Sequence, residues 1–246
     1  MTFGNPRRGS TLTYPDDSIQ CIFSSWWLKD SSANYQRGRL IRAFLPHVEQ
    51  VPKQIIATGR SSPTDHLHAN YEICPLQVCR PTKRPSLPVA ALPAFEGEVN
   101  AVYRAKKRPA LIICEGGEEV ATHLTIGQPK WQTAQTLLVA PYYGITEGTG
   151  RAGFTPEFVK RVRQCEYSRF MWDALPLGGS ATESIMRLDH IQPIGQHHDS
   201  IEMTEYRLSK DAIAILDEWL DWLITGEFDE DSMLLYFKEN VEANHT

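Results

Sequence analysis

The sequence predicts an α+β protein, mainly β, built as a small antiparallel barrel or curled sheet with helices at its C-terminal end and an extension ahead of it. Three observations carry this. Between residues 97 and 193, apolar runs of strand length recur as Gly97–Tyr103, Pro109–Cys114, Thr136–Pro141, Phe158–Arg163 and Ser184–Pro193, separated by Gly, Pro and Thr clusters. Beyond them Ile213, Leu216, Leu220 and Leu223 repeat at helical spacing, with Ile215, Trp219 and Trp222 alongside, a wide stripe suited to packing on a sheet. Ahead of them Leu76 to Pro93 contains Pro81, Pro85, Pro88 and Pro93, too much proline for a central strand, which marks a linker or edge-hugging segment. The predicted division is therefore 1–94, an extension packing on or beside the core; 95–226, the barrel with its closing helix; and 227–246, an acidic helix and tail.

Composition sets the bounds. At 246 residues with 41% hydrophobic side chains, the chain can bury a substantial core. No apolar run approaches the ~18 residues of a membrane span, and MTFGNPRRGS is followed by no apolar signal region, so a cytoplasmic protein is expected. Five cysteines (Cys21, Cys74, Cys79, Cys114, Cys165) are an odd number without a CxxC pair, which argues against a disulfide framework or a structural zinc site. The net charge of −5 is uneven, because residues 209–246 hold ten acidic and two basic groups, whereas residues 1–88 hold eleven basic and six acidic ones. A phosphate-bearing partner would meet the front of the molecule rather than its tail.

In chain order, residues 1–20 read as a loose terminus and Ile19–Leu28 as a strand followed by a polar turn. Tyr35–Val51 has Leu40, Ile41, Phe44 and Leu45 at a helical spacing cut off by Pro46, so a short helix and an extended arm both fit. Gln54–Ala57 reads as a brief strand and Gly59–Asp65 as a loop. Among the later runs the connections 115–135 and 145–157 are long, and Gly144, Gly148, Gly150 and Gly153 give the second the freedom to wrap a ligand. Ser209 caps a predicted helix over 210–225 with Gly226 beyond it, and Asp229–Glu242 reads as a shorter helix, acidic at its start.

Two runs bring chemistry to one rim. Lys106-Lys107-Arg108-Pro109-Ala110-Leu111-Ile112-Ile113 delivers cations, and Thr136-Leu137-Leu138-Val139-Ala140-Pro141-Tyr142-Tyr143 delivers two phenols. A guanidinium forks onto a phosphate while a nearby hydroxyl donates a further hydrogen bond, the minimum needed to hold a phosphodiester. Other groups have plainer readings. The pairs His66/His68 with Asp65 and His197/His198 with Asp199 sit in loop-like segments that impose no common ligand geometry, so no metal or other cofactor is expected. Cys114 and Cys165 have no evident His partner and read as core.

The order GEV, KRPALII, LLVAP, SIMRLDHIQPI, RLSKDAIAILDEWLDWLITG resembles the MazF/PemK family, the toxins of type II toxin-antitoxin modules, over roughly residues 95–226. Arg108-Pro109-Ala110-Leu111 matches its Arg-Pro strand motif, Val139-Ala140-Pro141 its strand-ending turn, Ser184–Ile194 its Ser-x-x-x-Leu-Asp segment, and Leu208 onward its Leu-Ser helix start. The resemblance implies an SH3-like (MazF/PemK/CcdB-like) barrel and a metal-independent endoribonuclease acting on single-stranded RNA or mRNA. It also implies a small neutralising antitoxin and a homodimer as partners.

On that resemblance Arg108 is the key arginine, and Tyr143 stands where the family has Thr or Ser; Thr146 is a second hydroxyl nearby. The chain also departs in its short GEV-to-Arg108 spacing and in its N-terminal 90 residues, whose Trp26, Trp27, Arg37, Arg39 and Arg42 either replace lost RNA surface or cover the barrel. In such a site the substrate's own 2′-hydroxyl is the nucleophile, so the protein supplies charge stabilisation and proton transfer. Arg108 would hold the non-bridging oxygens and Tyr143 would orient. Lys107, Arg161 and Arg163 would track the backbone, and Tyr142 or Trp131 would stack bases. The alternative is a catalytically silent barrel that binds protein or nucleic acid.

Overall fold

Each apolar run has to find a surface to cover it, and the solution is a sheet with core on both faces. The computed structural model describes residues 14–65, 67–78, 97–129, 132–146, 153–178, 182–196 and 199–243. Two compact units are present, one made of residues 1–43 and 107–246 and the other of residues 44–106. The division between the units falls at Ala43/Phe44 and Lys106/Lys107.

The larger unit is organised on an eight-stranded sheet. Its strands are β1 (Trp27–Lys29), β2 (Arg39–Pro46), β6 (Ala105–Cys114), β7 (Thr136–Gly144), β8 (Phe170–Leu175), β9 (Thr182–Arg187), β10 (Gln192–Gly195) and β11 (Ile201–Leu208). The hydrogen-bonded path runs β1-β11-β2-β6-β7-β9-β8, with β10 also on β7. Among the described residues this path ends at β1 and β8, so no closed barrel is formed; mainly antiparallel β-structure with a few helices is. The smaller unit carries β3 (Lys53–Gly59), β4 (Asn70–Pro75) and β5 (Asn100–Val102) in the order β4-β3-β5, with Ile55 opposite both Ile73 and Asn100.

Several sequence expectations change. Ile19–Leu28 is not one strand: Ile19–Ile22 is a 3-10 turn and only Trp27–Lys29 pairs, against β11. Of the two readings of Tyr35–Val51, the extended one holds, because β2 lies between β11 and β6 and is buried on both faces, with Leu40 and Ile41 fully covered. Phe158–Arg163 is not a strand but helix α2 (Pro156–Arg163), which follows the short α1 (Thr122–Thr125). Thr155 caps it by accepting from the Phe158 N–H at 3.3 Å, Pro156 starts it, and Val159 and Val162 turn inward onto Phe170, Trp172, Ala174 and Ile185.

Helix α3 (Lys210–Thr225) runs where predicted, with Ser209 accepting from the Ala212 N–H at 3.2 Å and Gly226 in the left-handed region. It lays Ile215, Leu216, Trp219 and Trp222 on Leu111, Ala140, Tyr142, Met171 and Met186. The second helix, α4 (Met233–Ala243), is nucleated by Glu218, which accepts from the Ser232 hydroxyl and the Leu234 N–H.

The N-terminal segment is built into this core. Trp26 and Trp27 donate from their indole nitrogens to Asp173 at 3.3 and 3.1 Å, and Tyr142 donates to the same carboxylate at 3.1 Å. Gln20 reaches the carbonyl of Trp172 at 2.5 Å, covering part of the edge strand β8. Arg39, fully buried, is held by Asp30, Ser32 and the Thr204 carbonyl.

Candidate functional site

A strand alternates its side chains, so neighbours in sequence face opposite ways. Tyr142 and Tyr143 therefore part company. Tyr142 points with Ala140 to the α3 side and is 2% exposed, and burial, then the Asp173 charge, pushes its hydroxyl well above the usual range. It cannot stack a base, which corrects that expectation. Tyr143 faces the other side in register with Ile185 and stays half-buried.

On this second face four adjacent strands place a row of alternating cations and rings. The Arg108 guanidinium on β6 lies 4.1 Å from the Tyr143 ring centre on β7. Arg187 on β9 lies 6.0 Å from the same ring and 4.9 Å from that of Phe170 on β8, where Arg169 also sits at 4.9 Å. Guanidinium on a ring face is attracted by the ring quadrupole.

The same face holds a histidine. The second edge of β7 pairs with β10 over Thr136–Val139 and with β9 over Tyr142–Gly144, skipping Ala140 and Pro141. A proline has no N–H for a ladder. Opposite this gap the chain leaves β9, makes a 3-10 turn over Leu188–His190 and rejoins β7 as β10, which delivers His190 to Tyr143. Tyr143 Oη is 2.8 Å from His190 Nδ1, and Arg187 Nη2 is 2.7 Å from His190 Nε2. Arg187 also forks onto Asp189 at 2.7 and 2.6 Å. Burial raises the Asp189 carboxyl, but Arg187, with His190 and Arg169, outweighs it and holds the group below its ordinary range. Sequence reasoning missed Arg187, Asp189 and His190 as site residues. The only signal was Arg187-Leu188-Asp189-His190 ahead of a proline-bearing strand, read as motif order rather than chemistry.

The remaining predicted residues do not join this row. Lys107 pairs with Glu202, which also holds Arg42 at 2.7 Å. Arg161 lies on α2, paired with Glu157 at 2.9 Å and Glu166 at 3.3 Å. Arg163, on the same helix, pairs with Asp17 at 2.7 Å and lies over Trp172. All three cations are thus engaged with carboxylates. Thr146 lies exposed just beyond β7. Trp131, His66, His197, His198, Gly148 and Gly150 lie outside the described residues, as do Cys79 and the four prolines of the 76–93 segment.

Trp26 and Trp27, on the Tyr142 side, do not plug the Arg108 face. Comparison with protein-family models, curated proteins and solved structures gave no match to this chain. Its function has to be argued from the side chains themselves. Among the described residues no three His, Cys, Asp or Glu groups converge as a metal site, and His68 pairs instead with Asp65 at 2.8 Å. Cys165 is buried in the core, which pushes its thiol up and away from nucleophilic use. No helix among the described residues is long and apolar enough to cross a membrane.

Proposed function

We propose that the chain is a cytoplasmic, metal-independent endoribonuclease of the MazF/PemK kind, its sheet a variant of the SH3-like barrel, cutting single-stranded RNA and silenced by an antitoxin over the Arg108 face. One observation carries the reading. Arg108 and Tyr143, picked from different strands as a guanidinium and a hydroxyl for one phosphate, lie in contact on one face with the ring 4.1 Å from the guanidinium.

In the proposed reaction the substrate's 2′-oxygen attacks phosphorus and the P–O5′ bond breaks. A 2′,3′-cyclic phosphate and a 5′-hydroxyl are left, and the proton lost at O2′ balances the one gained at O5′. Arg108 holds the non-bridging oxygens as charge builds on them, and Tyr143 donates a hydrogen bond to the same group. Arg187, neutralised by Asp189, contributes position more than charge.

The second reading, a silent barrel that binds protein or nucleic acid, draws on His190, which is buried and has both ring nitrogens engaged. The two separate in one assay. Purified protein is incubated with long single-stranded RNA in EDTA beside Arg108→Ala, and the reading requires cutting that falls by at least about 100-fold in the variant. No cutting by the parent, or equal cutting by both, moves the function to the binding module.

A further inference from the structure

The end of the sheet away from Arg108 is built differently. Strand β6 ends at Cys114, β7 begins at Thr136, and β10 ends at Gly195 opposite Thr136. The chain leading into β2 joins these strand ends, its Gly38 N–H donating to the Ile112 carbonyl at 2.8 Å and its Arg37 N–H to Glu115 at 3.0 Å. Among them lies a cleft of about 440 Å³ whose walls carry Asn34, Tyr35, Glu115, Glu119, Gln135 and Gln196. Glu115 follows Arg108 by about 23 Å of extended strand, so the cleft is separate from the Arg108 face.

The walls are made for a cation. They hold two carboxylates, three side-chain amides and a phenol ring, and among the described residues no Lys, Arg or His. Arg37, which fixes Glu115 through its backbone, sends its guanidinium to Asp217 on α3 instead. Gln135 donates to the Gly117 carbonyl at 2.8 Å, which ties the two ends of the β6–β7 connection together. Such a surface favours a guanidinium or ammonium with several N–H donors and repels a phosphate.

An apolar flank adjoins it. The connection continues from Glu119 through α1 and leaves Val120, Leu124 and Ile126 47%, 65% and 77% exposed. A free polyamine or a metal ion has no use for aliphatic side chains, and an acidic wall turns away RNA and anionic lipid. Carboxylates beside exposed aliphatic groups complement a peptide in which Arg or Lys is flanked by apolar residues.

We propose that the cleft and the α1 flank dock a basic, apolar segment of a partner protein, its Arg or Lys seated at Glu115 and Glu119 and its apolar neighbours on Leu124 and Ile126. The surface is independent of the nuclease reading, because it lies at the far end of the sheet and selects the charge opposite to that of an RNA phosphate.

Random peptides displayed on phage are selected on the immobilised full chain, and the enriched ones are labelled with fluorescein and titrated by anisotropy. They are expected to carry Arg or Lys next to aliphatic or aromatic residues. Glu119→Lys should weaken their binding at least about tenfold, and so should Leu124→Ser combined with Ile126→Ser. Glu115→Gln, which keeps an oxygen for the Arg37 N–H, should weaken it at least about threefold. Urea midpoints matching the parent show that these exposed substitutions leave the fold intact. No enrichment, enriched peptides that lack a cation, or binding that Glu119→Lys and the serine pair leave unchanged overturns the proposal. So does a parent that sediments as a dimer and becomes monomeric in the serine pair, which assigns the surface to a second copy of the chain.

Discussion

Asp173 makes the fold titrate in the direction opposite to most carboxylates. Three side-chain donors, from Trp26, Trp27 and Tyr142, and the Ala174 backbone N–H favour its charged form, yet burial outweighs them and pushes the group from 3.8 up to about 7. Between those two values the folded chain holds a proton that the unfolded chain has released, so stability falls as pH rises, by about 1.4 kcal/mol per unit at most. From pH 5 to pH 8 the loss comes to about 3 kcal/mol.

Other carboxylates do not obscure this. Ser32 lowers Asp30, His68 lowers Asp65, Arg161 lowers Glu157, Lys107 lowers Glu202, and Arg187 outweighs burial at Asp189. Groups held low lend stability that is present above the unfolded value and lost only in more acid solution. The assay is urea unfolding of the parent and Asp173→Asn at several pH values from 5 to 8. Asparagine carries a fixed penalty for setting an amide N–H against the donors but has no proton to lose, so the difference between the two proteins should shift by about 3 kcal/mol in favour of the variant as pH rises. A difference that stays constant, or moves the other way, refutes the reasoning.

Three further outcomes are expected. A Cβ on Gly116 would stand 2.5 Å from the Thr136 carbonyl oxygen at a φ of +91°, so Gly116→Ala should lose at least about 2 kcal/mol, read from its urea midpoint. Leu216→Ala empties a fully buried site under α3 and should cost about 3 kcal/mol; a loss below about 1 kcal/mol would mean that the helix does not seal the sheet. Ser209→Ala removes the α3 cap and should cost about 1 kcal/mol, whereas Ser209→Gly should recover most of it in the same thermal melts.

Legibility followed the range of the causes. Helix α3 was readable because its cap, stripe and stop all lie within 18 residues, from Ser209 to Gly226. Strands β6 and β7 were readable because burial on both faces makes their apolar runs continuous. Strand β2 was ambiguous because its two neighbours, β6 and β11, come much later in the chain, and a run buried on both faces has no alternation to show. Helix α2 was misread although Thr155-Pro156-Glu157 is a helix start, because Phe158, Val159 and Val162 also fit a short strand.

At the site, Arg108 and Tyr143 could be named from their strands, and the two-residue period of β7 already contained the reason to exclude Tyr142. His190 could not be placed from sequence. Its position depends on a pairing gap opposite Pro141, which follows from how β9 and β10 share one neighbour.

The strand order has a consequence for the chain as it leaves the ribosome. Among the described residues strand β1 pairs only with β11, Trp27 against Leu208, so this partner is translated some 180 residues after it. At roughly 5 to 20 residues per second that is a wait of about 10 to 40 s. During it two tryptophans and an unpaired strand edge are exposed to whatever else is in solution, and Asp173, which will hold both indoles, has not been made for most of that time. A message cut short anywhere before β11 would yield a polypeptide with its aromatic N-terminal segment unmoored, a natural substrate for chaperones and proteases.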